Sequence, residues 1–332
     1  MANTDQLDND NVFSVGVSSY GGEEVSHDGH INIQDLTIMI EENASQIRND
    51  FLQINRNYNL RILDYLSKEI PDYPTPVEFH ISEVTHVTNK HGFQEILNSE
   101  GFKAREYKDD TFSWWSLKIN EENINEAEER YLEEMFPDRT QEQRENQETF
   151  LNKFTTSPAF DIQKSRYGNF RFTFPLNELM EAYKNQKCGV KDPVLRAYKT
   201  TFYKQEIMYV VLIHSPEDNE KFEKFPEIES SLLFDYNNDT IIWKAQAICE
   251  NHEYQLLLDE ENRIAETEHI INQFYVWDHV ALAFHFNGVL HFPKEKLKES
   301  ITCCEIDTIN LSRSERLSLE EAEEIKHHYT SM

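Results

Sequence analysis

The sequence predicts an α+β fold with mixed and antiparallel sheets, an N-terminal helical segment and a β-rich C-terminal region. Residues 169–175 (NFRFTFP) alternate apolar and polar side chains, so that Phe170, Phe172 and Phe174 share one face of a strand. Residues 206–214 (EIMYVVLIH) are a continuous apolar run of strand length, typical of a central strand covered on both faces. Helical patterns lie between these strands, and this combination indicates the α+β class.

The segment before the first strand divides into two parts. Residues 1–34 are rich in Asn, Asp, Ser and Gly and bury too little apolar surface to offset the entropy lost on ordering, which predicts a disordered acidic tail. Residues 35–70 carry Leu and Ile at helical spacing, which predicts one or two amphipathic helices. The prolines at positions 71, 74 and 76 end this helical segment.

Two further units are predicted after the prolines. Residues 77–216 form the main domain, with helices predicted at 90–100, 120–136 and 176–186 and strands at 84–88, 111–119, 169–175 and 206–214. Residues 231–330 form a β-rich C-terminal domain or extension, with strands near 240–248, 253–258 and 275–286 and helices after Pro293 and at 318–328.

Composition restricts the classes of partner. Against 32 basic residues stand 61 acidic ones, and the net charge of −29 repels nucleic-acid phosphates and anionic membranes. We therefore expect a protein substrate or protein partner, no nucleic acid and no membrane. No apolar run suits a signal peptide or a membrane span, which predicts a cytoplasmic protein. The four cysteines lack CxxC spacing and the histidines form no ligand pair, so no disulfide framework and no metal site are predicted.

His86 and Thr88 lie two residues apart on a short predicted strand, so both side chains face the same side and could converge on one ligand. A compact helix and Gly101-Phe102-Lys103 follow them. On spacing alone, His86 is equally well explained as a structural histidine beside a hydroxyl.

This order of residues resembles the opening of the ADP-ribosyltransferase (PARP-like) fold, and the resemblance covers residues 77–215. It implies that NAD, as a substrate, binds in a cleft between two small sheets. It also implies that His86 hydrogen-bonds a ribose hydroxyl and that Thr88 stands beside the nicotinamide ribose.

Glu206 matches the closing motif of the same family, a Glu at the head of a strongly apolar strand. By this resemblance Glu206 is the catalytic anion, since a fixed carboxylate stabilises the positive charge that develops on the ribose as the nicotinamide bond breaks. The alternative is a solvated carboxylate at the end of a strand. Lys204 occupies the position where arginine-modifying relatives carry an acidic residue or Gln, which argues against an arginine-specific activity.

The family's second motif places a Tyr or a Ser against nicotinamide. Ser113 and Ser116 on the aromatic strand and Tyr131 on the following helix are the candidates, and Ser116 and Tyr131 are predicted to be catalytic. Trp114 and Trp115 are explained either as walls of the pocket or as core residues.

Two functions follow from these observations. The resemblance implies an NAD-binding ADP-ribosyltransferase-like protein that transfers mono-ADP-ribose to a protein substrate. The alternative is a catalytically inactive binding or scaffold protein, with the acidic helices at 120–152 and the C-terminal region as partner surfaces. The chain also resembles virus-induced fish proteins that look like distant relatives of the polymerase-type domain, which implies a role in antiviral innate immunity. A cysteine hydrolase has less support, because no cysteine has neighbours that would activate its thiol.

Overall fold

A computed structural model describes residues 77–107, 110–153, 155, 159–203, 206–228, 233–245, 256–258, 264–266, 277–307 and 316–331. The predicted tail at 1–34 and the predicted helical segment at 35–70 lie outside the described residues. Within the described part, antiparallel and mixed sheets combine with seven helices, which confirms the α+β class.

The helices are α1 Lys90–Ser99, α2 Glu121–Met135, α3 Gln141–Glu145, α4 Leu176–Lys187, α5 Asn219–Phe222, α6 Lys294–Glu299 and α7 Leu319–Thr330. The strands of the first half are β1 Glu78–Ile81, β2 Glu83–Thr88, β3 Gly101–Lys103, β4 Arg105–Tyr107, β5 Asp110–Leu117, β6 Lys164–Ser165 and β7 Phe170–Pro175. The later strands are β8 Val194–Tyr203, β9 Glu206–His214, β10 Phe234–Asn237, β11 Thr240–Lys244, β12 Leu256–Leu258, β13 Ile264–Glu266, β14 Trp277–His285, β15 Val289–His291, β16 Ile301–Cys303 and β17 Glu305–Ile306.

A central sheet of eight strands organises the fold. Its order is β16-β7-β2-β5-β14-β9-β8, and β4 adds to β5. Strands β9 and β14 run parallel, whereas the other neighbours are antiparallel. Strand β14 belongs to the C-terminal third of the chain yet lies between β5 and β9. The C-terminal region therefore contributes an interior strand to the same sheet as the strand that carries His86.

Apolar side chains cover both faces of this sheet. On one face Phe170, Phe172 and Phe174 are fully buried in the main core, as their alternation predicts, and the ring of Phe93 from α1 stacks on Phe170 with 4.2 Å between centroids. On the opposite face a smaller cluster of buried residues covers the sheet; it contains Phe112, Val210, Leu212, Phe222 and Ala283. Strand β9 is therefore covered on both faces, as its continuous apolar run predicts.

A two-stranded sheet of β3 and β15 positions Phe102 against His86. Gly101 of β3 lies so close to β15 that a Cβ atom there would be 2.2 Å from the carbonyl oxygen of Leu290. This close approach keeps the next residue, Phe102, over the central sheet, where its ring contacts the ring of His86 with 5.2 Å between centroids.

Strand β8 is the main element that the sequence patterns do not predict. It lies at an edge of the sheet and pairs with β9 with a register shift between Ala197 and Lys199. A bulge of this kind interrupts the alternation on which strand prediction depends. Within the described residues, no helix has the length and hydrophobicity needed to cross a bilayer.

Candidate functional site

His86 is held in one orientation on β2. Its Nδ1 atom is 2.8 Å from the carbonyl oxygen of Trp114, and its ring also contacts Trp115 with 5.4 Å between centroids. Because a carbonyl oxygen only accepts, Nδ1 carries the proton and donates it. Burial lowers the pKa of His86 from 6.5 to about 4, and the positive charge of Arg105 acts in the same direction. The imidazole is therefore neutral at pH 7, and Nε2 remains as a hydrogen-bond acceptor.

The surface around this ring is a groove of about 700 Å³, called here the His86 groove. Strand β2, helix α1, the segment from β3 to β4 and the middle of β5 form its walls. The polar side chains along it include His86, Thr88, Asn89, Glu95, Ser99, Lys103, Arg105, Ser113 and Tyr167. Its volume falls within the range of roughly 300 to 1,000 Å³ that small-molecule and cofactor sites occupy.

Glycine allows α1 to approach the end of β2. A Cβ atom on Gly92 would lie 2.0 Å from the hydroxyl oxygen of Thr88. The helix begins after Asn89, whose side-chain oxygen accepts a hydrogen bond from the backbone N–H of Gly92 at 3.0 Å. The Thr88 hydroxyl thus lies directly against the first turn of α1, on the same side of β2 as His86.

The mouth of the groove is formed by Tyr167 and by a group of charges. Gly168 has φ +146°, and a Cβ atom there would lie 2.2 Å from the carbonyl oxygen of Thr88. This contact holds the neighbouring Tyr167 at the rim, 39% exposed. The carboxylate of Glu95, which also lines the groove, is 3.4 Å from the guanidinium of Arg105.

The three residues proposed to contact nicotinamide lie in three different environments. Ser113 lines the His86 groove, and its hydroxyl accepts a hydrogen bond from Trp115 Nε1 at 3.1 Å. Ser116 pairs with Thr85 and lies on the opposite face of the sheet, in a second and smaller cavity. Tyr131 is buried on α2, packs on Phe150 at 5.8 Å between centroids, and has a pKa raised by burial. The structure therefore brings only Ser113 together with His86.

Glu206 begins β9, and its backbone pairs with Tyr203 and Trp277, but its side chain lies outside the described part of the chain. Residues Thr85, Ser116, Ala281 and Val210 stand side by side across four strands.

Relative to that row, Glu206 is four residues back along β9 and His86 is one residue forward along β2. The separation is about 16 Å along the strands and about 14 Å across them. The backbone positions of the two predicted ribose ligands are therefore roughly 20 Å apart.

A second polar cluster lies at the carboxyl ends of β9 and β14, outside the groove. His285 Nδ1 is 3.2 Å from the Asp218 carboxylate, and His285 Nε2 is 3.4 Å from the Asp110 carboxylate. Lys221 also forms an ion pair with Asp110. These side chains come from separate elements, and no sequence pattern predicts that they meet.

Comparisons with protein-family models, with curated proteins and with solved structures give no match. Within the described residues, no three His, Cys, Asp or Glu side chains are arranged to hold a metal ion. Cys188, Cys303 and Cys304 are free thiols, and Cys249 lies outside the described residues.

The sequence patterns do not predict that Gly92, Tyr167 and Gly168 shape the groove. Gly168 contacts Thr88 from a distant part of the chain, which local patterning does not contain, whereas Gly92 contacts Thr88 only four residues away, where α1 approaches the end of β2. A Tyr-Gly-Asn tripeptide at 167–169 indicates a turn, but it does not indicate what the turn contacts.

Proposed function

We propose that this protein binds NAD in the His86 groove as an ADP-ribosyltransferase-like protein. The observation that carries the proposal is the neutral, fixed imidazole of His86 at the wall of a groove of about 700 Å³. Its Nδ1–H is committed to the carbonyl of Trp114, so Nε2 can only accept. A ribose hydroxyl is a donor of the kind that this nitrogen requires.

The rest of the groove suits the other parts of a dinucleotide. Thr88 supplies a hydroxyl on the same side of β2 as His86, beside the start of α1. Lys103 and Arg105 supply positive charge for a pyrophosphate, and Arg105 would exchange its partly exposed ion pair with Glu95 for a phosphate contact. Tyr167 offers an aromatic ring at the rim for a base.

Binding without transfer is the form of this function that the geometry supports best. Transfer of ADP-ribose needs a carboxylate beside the nicotinamide ribose, and Glu206 begins its strand roughly 20 Å from His86. A binding or scaffold role with NAD as the ligand agrees with that separation.

Mono-ADP-ribosylation of a protein is the second candidate. It is supported by Glu95, a carboxylate that lines the groove itself. In that case Glu95, released from Arg105, would be the anion that stabilises the ribose cation.

Calorimetry with NAD tests the binding proposal. The variant His86→Phe keeps an aromatic ring between Phe102 and Trp115 but removes the Nε2 acceptor. A ribose hydroxyl left without its acceptor costs about 1 to 3 kcal/mol of binding free energy. We therefore expect wild type to bind and His86→Phe to bind about tenfold more weakly or worse. The matched control is His80→Phe, which changes a strand histidine on β1 outside the groove. Failure of folded wild-type protein to bind NAD would refute the proposal.

Incubation with labelled NAD and a mixture of possible acceptor proteins distinguishes NAD binding alone from mono-ADP-ribosylation. If the protein only binds NAD, no label is transferred by the wild type. If label is transferred, the variants Glu95→Gln and Glu206→Gln identify the anion, since the substitution at the reacting centre abolishes transfer while NAD binding persists.

A further inference from the structure

A second cavity lies on the opposite face of the central sheet from the His86 ring, called here the Arg171 cavity. Its volume is about 90 Å³, and it is lined by Thr85, Ser116, Arg171, His279 and the segment 161–167, among others. At about 30 Å³ per water in the liquid, this is the space of about three water molecules. A nucleoside is too large for such a space, whereas a single carboxylate or phosphate group fits.

Arg171 is the residue of this cavity whose hydrogen-bonding groups are not all satisfied. It is 8% exposed, and its guanidinium donates to the carbonyl oxygen of Ile162 and, at 2.7 Å, to that of Lys164. Its Nε has no partner among the described residues. Burial lowers the pKa of Arg171, and the nearby Asp161 and Cys304 oppose that shift.

The other buried arginines of the described part are neutralised by carboxylates. Arg166 is 3.1 Å from Asp307, Arg139 is 3.1 Å from Glu133, and Arg196 is 3.2 Å from Glu227. Arg171 forms no such ion pair with a described residue. A buried guanidinium is costly unless it is paired and hydrogen-bonded, and Asp161, although it lies nearby, forms no ion pair with Arg171.

The surroundings of Arg171 add positive charge and hydroxyl groups. Lys118, Lys164 and Arg166 also line the cavity; Lys118 is paired with Glu83 at 2.9 Å and Arg166 with Asp307, and Asp161 is the one carboxylate among the lining residues. The nearly buried Thr85 and the partly buried Ser116 bring hydroxyls to the same wall. The cavity therefore presents N–H and O–H donors around Arg171.

We propose that the Arg171 cavity binds a small oxyanion, a carboxylate or a phosphate group. The guanidinium of Arg171 has five N–H donors, and only two of them are taken by the carbonyls of Ile162 and Lys164. The hydroxyls of Thr85 and Ser116 complete the donor set. Val87 and Tyr167 line both this cavity and the His86 groove, so the oxyanion site adjoins the groove without being part of it. The proposal does not depend on NAD binding.

Titration with inorganic phosphate and, separately, with acetate tests this proposal. The readouts are the NMR signal of the Arg171 Nε–H and the binding affinity. In the wild type both respond saturably to at least one of the two anions. Tighter binding of phosphate identifies a phosphate group as the natural ligand, and tighter binding of acetate identifies a carboxylate.

Three variants make the outcome decisive. Arg171→Gln is expected to weaken anion binding at least tenfold, and Ser116→Ala to weaken it about threefold, a hydrogen-bond contribution. Ser116→Ala leaves the contacts of Arg171 with the segment 162–164 intact, so it carries the test if Arg171→Gln does not fold. Arg139→Gln removes an equally buried guanidinium outside the cavity and is expected to leave anion binding unchanged. No response of the wild-type Arg171 signal, or an equal loss in Arg139→Gln, would overturn the proposal.

Discussion

Replacing His86 with Phe is expected to change how the stability of the protein depends on pH. Burial lowers the pKa of the folded imidazole from 6.5 to about 4. Between these two pH values the unfolded chain binds a proton that the folded protein does not. Stability therefore rises with pH across this window, is complete above the unfolded pKa, and is lost as the pH falls.

The size of this effect follows from the two pKa values. From about pH 7.5 to about pH 5, selective protonation of the unfolded chain at His86 costs about 2 kcal/mol of folding stability. This is an upper value, because the ring is half-buried and solvent in the groove screens part of the charge. The loss is absent from His86→Phe, whatever the packing cost of the substitution itself.

Urea unfolding at these two pH values measures the effect as a difference of differences. Other titrating groups contribute equally to wild type and variant, so we expect wild type to lose about 2 kcal/mol more than His86→Phe on acidification. His80→Phe is the matched control and is expected to follow the wild type, because its partly exposed ion pair with Glu78 is weak. Equal losses of stability in wild type and His86→Phe would show that the His86 ring is charged or solvated. That result would also contradict the role of Nε2 as a hydrogen-bond acceptor.

Three further predictions concern stability and are checked by urea unfolding. Gly168→Ala places a Cβ atom 2.2 Å from the Thr88 carbonyl oxygen and is expected to cost well over 1 kcal/mol of unfolding free energy. Gly189 also has a positive φ but no atom within 4 Å, so Gly189→Ala should cost at most about 1 kcal/mol. Similar costs at both sites would contradict the contact of Gly168 with Thr88. Glu128→Ala leaves unpaired the buried backbone N–H groups of Phe150 and Leu151, which donate to the Glu128 carboxylate at 2.8 and 2.6 Å, and is expected to cost about 2 to 4 kcal/mol, whereas the exposed Glu129→Ala costs little. Tyr183→Phe removes the hydrogen bond from the buried hydroxyl to the carbonyl oxygen of His285 at 2.5 Å and is expected to cost about 1 kcal/mol; no loss would indicate that solvent replaces this bond.

Local patterns predict most individual elements of this fold. The apolar run at 206–214 corresponds to β9 over its whole length, and the helix predicted at 176–186 is α4, which extends one residue further. The strand is a continuous apolar run, the helix has a helical period, and both have clear ends, so nearest neighbours in the sequence determine them. Strand β8 escapes prediction because its bulge breaks the period.

The arrangement of the elements is less predictable, because it depends on pairing between distant segments. No local pattern indicates that β14 inserts between β5 and β9, so that two strands, β5 and β14, lie between the strands of His86 and Glu206. No local pattern indicates the close approach of Gly168 to the carbonyl oxygen of Thr88 either.

The alternation of side chains along a strand does predict that Ser113 and Ser116 lie on different faces of the sheet. Ser113 and Ser116 are three residues apart on one strand, so they face opposite sides, and only Ser113 lies with His86 in the groove.

The most direct test of the central claim follows the imidazole nitrogens of His86 by NMR while NAD is added to the wild-type protein. We expect Nδ1 to carry the proton throughout, and the Nε2 signal of His86 to shift saturably with NAD as a ribose hydroxyl donates to it, while the signals of His80 stay unchanged. NAD that leaves the Nε2 signal of His86 unmoved, whether or not it binds elsewhere, would contradict the account.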